Sequence, residues 1–424
     1  MILRRLAQNT GWLMLDRILR LLAGLLVSFW LARYLGPSAF GSYNYALALS
    51  MFVGSIATLG LDTIVVRELV RDPPAAPMIL ASAAFLRFVA GLVAVGLATL
   101  AAVLLRPADT TILLLTLLFS LAAPLQAFST LDLWFQAQVD ARPIVTARAI
   151  AFMLATLLKV GLLLLHAPLL AFAGIFACEA LLGAIAALAA YQRSTGMLRL
   201  WRCTIAQART LLAASWPLIF SGLLVTLYLR IDQIMLGQMV GDAEVGLYAA
   251  AVRIAEAFPL LPIAIVTSAY PSLVATRQSD PQRFAEHIRR LYALVAALGY
   301  AAALVVSVAA PWLIHLLAGP SYAAAAPMLV LLTWASLFSG LGVARSAHMN
   351  AENLTHLHPI TVLIGAVANV GLNWLLIPHW GGLGAALASL FTYWLAAHGT
   401  CYLLPQLRPT GRMMTRALLW PKFW

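Results

Sequence analysis

Charged side chains set inside long apolar runs are the groups in this sequence most able to do chemistry. Counted at about 1.5 Å per residue from the ends of those runs, Arg20, Arg87, Glu179 and Glu256 fall closest to the centre, Arg253 somewhat nearer one end, and Lys159 between the two. A charge at the centre of a membrane helix costs about 2.5–3.5 kcal/mol on insertion scales, so each should face a polar cavity or an opposite charge rather than hydrocarbon. Burial favours the neutral form of a carboxyl group, so Glu179 and Glu256, with Asp16 as a third, are candidates to take up an ion on one face and release it on the other. The coupling ion expected is H+ or Na+. Local pairing is an equally simple reading for two couples: Asp16 and Arg20 are four residues apart and Arg253 and Glu256 three, so each could neutralise itself along one helix face. Asp62, Asp132 and Arg148 lie near one end of their runs, and Arg230 and Asp232 near the other, where snorkelling to the interface is the plainer account.

The elements that must position these groups follow from composition. With 63% hydrophobic and 10% charged residues over 424 positions, and a mean hydropathy of +0.92, the chain has too little polar surface for a soluble domain and is expected to be an all-α integral membrane protein. The net charge of +12 does not indicate nucleic acid, because the arginines are scattered through loops and spans rather than gathered on one polar domain. Apolar runs place about twelve transmembrane helices, at roughly 11–34, 42–65, 78–105, 111–136, 143–165 and 168–191, then 211–236, 246–272, 291–317, 323–346, 358–378 and 382–404. This reads as two six-helix lobes, residues 1–191 and 211–404, joined by an arginine-bearing connection at 192–210 and followed by a basic tail at 405–424. Six and six spans insert both lobes in the same sense, related by an axis along the membrane normal. With both termini cytoplasmic, eighteen of the loop cations, among them Arg67, Arg71, Arg193, Arg277 and Arg345, fall inside, while Arg33 and Arg106 fall outside.

A short repeat supports the duplication. Gly36, Gly41, Tyr43 and Ala46 between the first two spans recur as Gly241, Gly246, Tyr248 and Ala251, about 205 residues on, again between two spans. Glycine there permits a turn at positive φ and a close approach of helix ends, and the tyrosine is expected at a membrane interface. Pro259 and Pro262 fall near the middle of the eighth run and should break it beside Glu256. The central charges occupy runs one, three, six and eight while the last four runs are almost free of them, which points to a single polar cavity.

Several activities are excluded. The two lysines, Lys159 and Lys422, sit in no Walker A context, no hydrolase or metalloprotease motif occurs, and no loop is long enough for a catalytic domain. A transporter is expected, not an enzyme. His348, Glu352 and His356 have a metal-like spacing but read as part of a solvated loop, so no metal is expected, and Cys178, Cys203 and Cys401 form no disulfide framework.

Three stretches resemble bacterial polysaccharide-biosynthesis flippases of the Wzx type, within the multidrug, oligosaccharidyl-lipid and polysaccharide (MOP) exporter superfamily. They are Leu35-Gly36-Pro37-Ser38-Ala39-Phe40-Gly41-Ser42-Tyr43, the run with Gly241, Gly246, Tyr248, Ala250 and Arg253, and the run with Asn369, Asn373, Leu376, Ile377, Pro378, Gly381, Gly382, Gly384, Ala385 and Ala386. The resemblance covers nearly the whole chain. It implies a flippase that moves undecaprenyl-diphosphate-linked oligosaccharide, an O-antigen or exopolysaccharide repeat unit, from the inner to the outer leaflet of the bacterial inner membrane by alternating access. It also implies a polymerase and a chain-length regulator of the same pathway as partners. Only Arg253 lies in a family-like motif; Arg20, Arg87 and Lys159 fit the cationic cavity the resemblance implies, where guanidinium groups would grip diphosphate oxygens. A multidrug or cation antiporter of the same superfamily is the alternative, and a polysaccharide polymerase or ligase a more distant one.

Overall fold

Among the described residues, proline and glycine help divide the chain into sixteen α-helical segments. The computed structural model describes residues 2–420 and, from Arg20 onward, their side chains, Gln278 excepted. The helices are α1 (Ile2–Gly54), α2 (Asp62–Arg71), α3 (Ala76–Leu105), α4 (Thr110–Ser120), α5 (Ala122–Leu125), α6 (Thr130–Ala137), α7 (Arg142–Leu164) and α8 (Leu169–Thr195). They continue with α9 (Ile205–Met239), α10 (Asp242–Ala255), α11 (Leu260–Ser279), α12 (Pro281–Leu317), α13 (Ala325–Ala351), α14 (His358–Trp394), α15 (Thr400–Leu403) and α16 (Arg408–Leu419). Their starts have local causes. Asp109 caps α4 by accepting from the Ile112 amide at 3.0 Å, and Asp280 caps α12 by accepting from Gln282 and Arg283 at 3.0 and 3.1 Å.

Ten stretches among the described residues are long and apolar enough to cross a membrane. Two of them, Arg20–Arg71 and Thr355–Leu403, each hold two helices that meet at a glycine in a non-helical conformation, Gly36 (φ 73, ψ 170) and Gly381 (φ 53, ψ −132). The ten stretches therefore hold twelve spans, and the chain is a multi-pass, all-α membrane protein. Several spans are interrupted: the second breaks at 55–61, where Leu59 (φ 50) and Gly60 (φ 60) turn the chain between α1 and α2. Pro124 breaks the fourth into α4, α5 and α6 with a tight turn at Gln126–Ser129, and the eighth stops at Ala255 and resumes at Leu260, with Pro259 as its cap.

The chain forms two compact units, one of residues 1–35 and 42–230, the other of 36–41 and 231–424. The division falls inside α9, beyond the polar 192–210 connection, because the first part of α9 is packed into unit 1: Leu211 is buried beside Leu61, Leu80, Leu131 and Tyr191, and Gly60 abuts Leu218. Unit 2 has its own core of Ile288, Tyr292, Val295, Leu341, Cys401 and Met414. Met414 places the basic tail in that core: α16 is a docked amphipathic helix, held further by a hydrogen bond from Tyr300 Oη to the Leu418 carbonyl at 3.1 Å.

The glycine repeat closes on itself within unit 2. A Cβ on Gly41 would collide with the Asp242 carbonyl, and one on Gly246 with the Pro37 carbonyl, so both copies need glycine for the same backbone contact. The two tyrosines depart from expectation. Tyr43 is buried edge-on against Phe119 at 4.9 Å, and Tyr248 is 2% exposed and hydrogen-bonded; neither marks an interface.

Candidate functional site

Unit 1 holds a cavity of about 190 Å³ lined by Arg20, Gln126, Arg148 and Glu179, by the rings of Phe152 and Phe176, and by small residues that leave it open, among them Ala151 and Gly183. Gln126 comes from the tight turn that interrupts the fourth span. Arg20 stacks over Phe152 at 5.1 Å. Arg148 grips Asp132 with two parallel contacts, Nε to Oδ1 and Nη2 to Oδ2, both 2.9 Å, which leaves Nη1 beside Gly183. Glu179 is held from the other side by Lys159 at 2.5 Å. The chamber lining thus combines two arginines and one carboxylate with an amide and two aromatic rings, groups that can meet a polar guest.

The expected site residues separate. Arg20 and Glu179 share this chamber, with Lys159 attached through Glu179. Arg87 does not line it: at 3% exposure it is bonded to Asp62 Oδ1 at 2.5 Å and to Ser129 Oγ at 3.1 Å, tying α3 to α2 and to the turn before α6. Asp62, Asp132 and Arg148 are accordingly members of ion pairs rather than snorkelling side chains. Arg253 and Glu256 lie in unit 2, with no ion pair between them. Helix α10 ends at Ala255 with Glu256 as its cap; Glu256 is exposed, and Arg253 is half-buried with no ion pair among the described residues. Asp16 lies outside the described side chains.

Unit 2 contains a site the sequence reading assigned to the interface. Asp232, 5% exposed, accepts from Tyr248 Oη and Ser389 Oγ at 2.7 Å each through Oδ2, and from Asn373 Nδ2 at 2.5 Å through Oδ1. Asn373 Nδ2 also reaches Asn369 Oδ1 at 3.1 Å, and Asn369 reaches Thr392 at 3.4 Å. Each of these hydrogen-bonding neighbours of Asp232 is neutral, and Asn373 Oδ1 is buried with no hydrogen-bond partner among the described residues. The sequence did carry a signal here: Asn369 and Asn373 belong to one of the three motifs and Tyr248 to the repeat, but nothing local tied them to Asp232, which is 141 residues from Asn373.

Two other groups differ from expectation. Arg345 is not a loop cation but 3% exposed, donating to the carbonyls of Ala396 and Ala397 at 2.7 and 3.1 Å and to Thr400 and Thr361. Those carbonyls are released by the π turn at Leu395–Gly399. His348 is buried in α13 against Tyr292 Oη at 3.1 Å, while Glu352 pairs with Arg277 at 2.9 Å, so the metal-like spacing is spent on other partners.

The polysaccharide biosynthesis protein family matches residues 6–277 of this chain, and the MatE family matches residues 217–375. The chain belongs to the polysaccharide biosynthesis protein family. Within that family's range lie the unit 1 chamber, both copies of the glycine repeat and Asp232. A probable flippase, AglR, from Haloferax volcanii is 32% identical over 173 residues, 40% of this chain and 36% of that protein's length. The match therefore spans about a third of the relative. Among solved structures, the lipid II flippase MurJ in an inward closed conformation superposes with a TM-score of 0.74 at 15% identity, over 96% of this chain and 89% of that one. An inward-facing multidrug resistance MATE family transporter gives 0.69 at 15% identity, over 94% and 95%. A MOP superfamily transporter from Pyrococcus furiosus gives 0.61 at 15% identity, over 97% and 96%. At about 15% identity these likenesses show the fold, which this chain shares with a lipid II flippase and with transporters of the MOP superfamily.

Proposed function

We propose that this protein is a flippase that carries a polyprenyl-diphosphate-linked oligosaccharide, an O-antigen or exopolysaccharide repeat unit, across the bacterial inner membrane by alternating access. The observation that carries the reading is the unit 1 chamber, where Arg20 presents its guanidinium group and Arg148 the Nη1 edge that Asp132 leaves, beside Gln126 and two aromatic rings. A diphosphate and its sugars cannot cross hydrocarbon unaided. Arginine forks match phosphate oxygens, the amide offers a further donor, and the rings suit a sugar face or the start of the lipid tail. The chamber is the size of a small anion, so it would hold the diphosphate while the saccharide extends away. Family membership and the flippases among the relatives support the same substrate class. Both termini are cytoplasmic in this reading, and a polymerase and chain-length regulator receive the product.

Transport is coupled to an ion gradient through Asp232. A carboxyl group surrounded by neutral donors and one orphan amide oxygen, in a span, is suited to take H+ or Na+ when accessible and to release it when the surroundings repack. Glu179 is less suited, because Lys159 already neutralises it.

The test is flipping of a labelled polyprenyl-diphosphate oligosaccharide in vesicles with Arg20→Ala and Arg20→Lys proteins. Activity should rank Arg above Lys above Ala at equal abundance, because lysine keeps the charge and loses the fork. Equal activity in all three removes Arg20 from the site. The MatE match over residues 217–375 favours a second reading, export of an organic cation; uptake of a cationic dye driven by the gradient, with no lipid flipping, would select it.

A further inference from the structure

We propose that the cleft between α12 and α16 binds the phosphate of an anionic phospholipid at the membrane surface. The cleft has a volume of about 410 Å³, and Arg289, Arg290 and Arg416 form its rim together with Gln282, with Glu286 as the single acid. Arg289 and Arg416 are exposed and make no ion pair among the described residues; Arg290 is matched by Glu286 at 2.5 Å. The site carries a surplus of cations on a rigid frame. Helix α16 cannot drift from α12, because Met414 and Ala417 are buried in the unit 2 core, Thr415 lies 2.9 Å from His398 Nε2, and Tyr300 bonds the Leu418 carbonyl.

Its depth points to a lipid. Arg289 and Arg290 stand immediately before the apolar run that begins at Leu291, the level at which a span meets the headgroup layer. The floor is apolar, Ala293, Met413 and Ala417, and Trp420 in the lining is 67% exposed, as its chain neighbour Leu419 is at 77%, both suited to the boundary of the acyl chains. A free phosphate would use the rim and leave the apolar floor unfilled. A lipid headgroup fills both, with its phosphate on the arginines and its glycerol and first methylenes over Met413 and Trp420. This site is separate from the unit 1 chamber, so it stands or falls apart from the transport reading.

The experiment is native mass spectrometry of the full-length detergent-purified protein titrated with phosphatidylglycerol or with phosphatidylcholine of the same acyl chains. Wild type should retain phosphatidylglycerol in preference, and Arg289→Gln with Arg416→Gln should bind it about tenfold more weakly with an unchanged melting temperature. Glu286→Gln, which releases Arg290 from its partner, should bind it several-fold more tightly, an increase that misfolding cannot produce. Equal retention of the two lipids, no loss in the double variant or no gain in Glu286→Gln would each overturn the proposal. Displacement of the lipid by millimolar inorganic phosphate would also overturn it, by identifying a free-anion site.

Discussion

Unit 1 and unit 2 each bury charge inside apolar spans, but they do so with different partners. In unit 1, Arg87 meets Asp62, Arg148 meets Asp132 and Lys159 meets Glu179, so each of these three cations has a carboxylate within 3 Å. In unit 2, Asp232 is held by hydroxyl and amide groups, and Arg345 by backbone carbonyls and threonine hydroxyls. A matched ion pair is costly to break and changes little when a substrate arrives, so the unit 1 pairs fix the shape of a chamber. A charge held only by dipoles keeps its net charge and can change its occupant without losing a counter-ion. The first arrangement suits holding a charged guest, the second suits exchanging a small ion.

The largest effect that would sharpen this contrast is expected at Asp232. Asp232→Asn preserves size and most of the hydrogen bonds but cannot carry charge, so flipping driven by a gradient should fall to the rate without one, read in vesicles with and without an imposed H+ or Na+ gradient. Retained gradient dependence would erase the contrast. Next is Arg148. Arg148→Ala leaves Asp132 unpaired and should lower stability by roughly 2 kcal/mol, between the exposed and buried limits, seen as reduced abundance and melting temperature. Arg148→Gln with Asp132→Asn should recover abundance without recovering flipping; recovery of both would make the pair purely architectural.

Smaller effects test the frame. Gly246→Ala forces a Cβ against the Pro37 carbonyl and should cost about 1–3 kcal/mol, lowering the melting temperature. Gly371→Ala, at a helix position with open space around it, serves as the control. The smallest change is expected for Glu256→Gln, since Glu256 is exposed; flipping should stay within about twofold of wild type. A large loss there would move ion coupling from Asp232 to Glu256.

The spans were legible because a run of some twenty apolar residues has few alternatives, and Pro259 and Gly36 mark their breaks by their own backbone chemistry. The Gly41 and Gly246 spacing also survived, since the close contact it implies is a property of glycine alone. The site was only half legible. Depth along a helix can be counted, which brought Arg20 and Glu179 forward, but which way a side chain faces depends on neighbours far away in sequence. Arg87 was therefore placed in a cavity although Asp62, brought near by a reversal of the chain, claims it. Asp232 was set at an interface because its depth in α9 looked shallow, whereas Asn373 and Ser389 from α14 enclose it. Arg345 had the same fate: a π turn some fifty residues away supplies the carbonyls that a lone arginine in a sequence cannot announce.

The most direct measurement of the central claim is the appearance of a fluorescent polyprenyl-diphosphate oligosaccharide on the far leaflet of sealed vesicles, followed by lectin capture. Vesicles with the wild-type protein should expose the label faster than protein-free vesicles, with the excess lost in Arg20→Ala. Exposure at the protein-free rate, in the presence of folded protein and either ion gradient, would contradict the account.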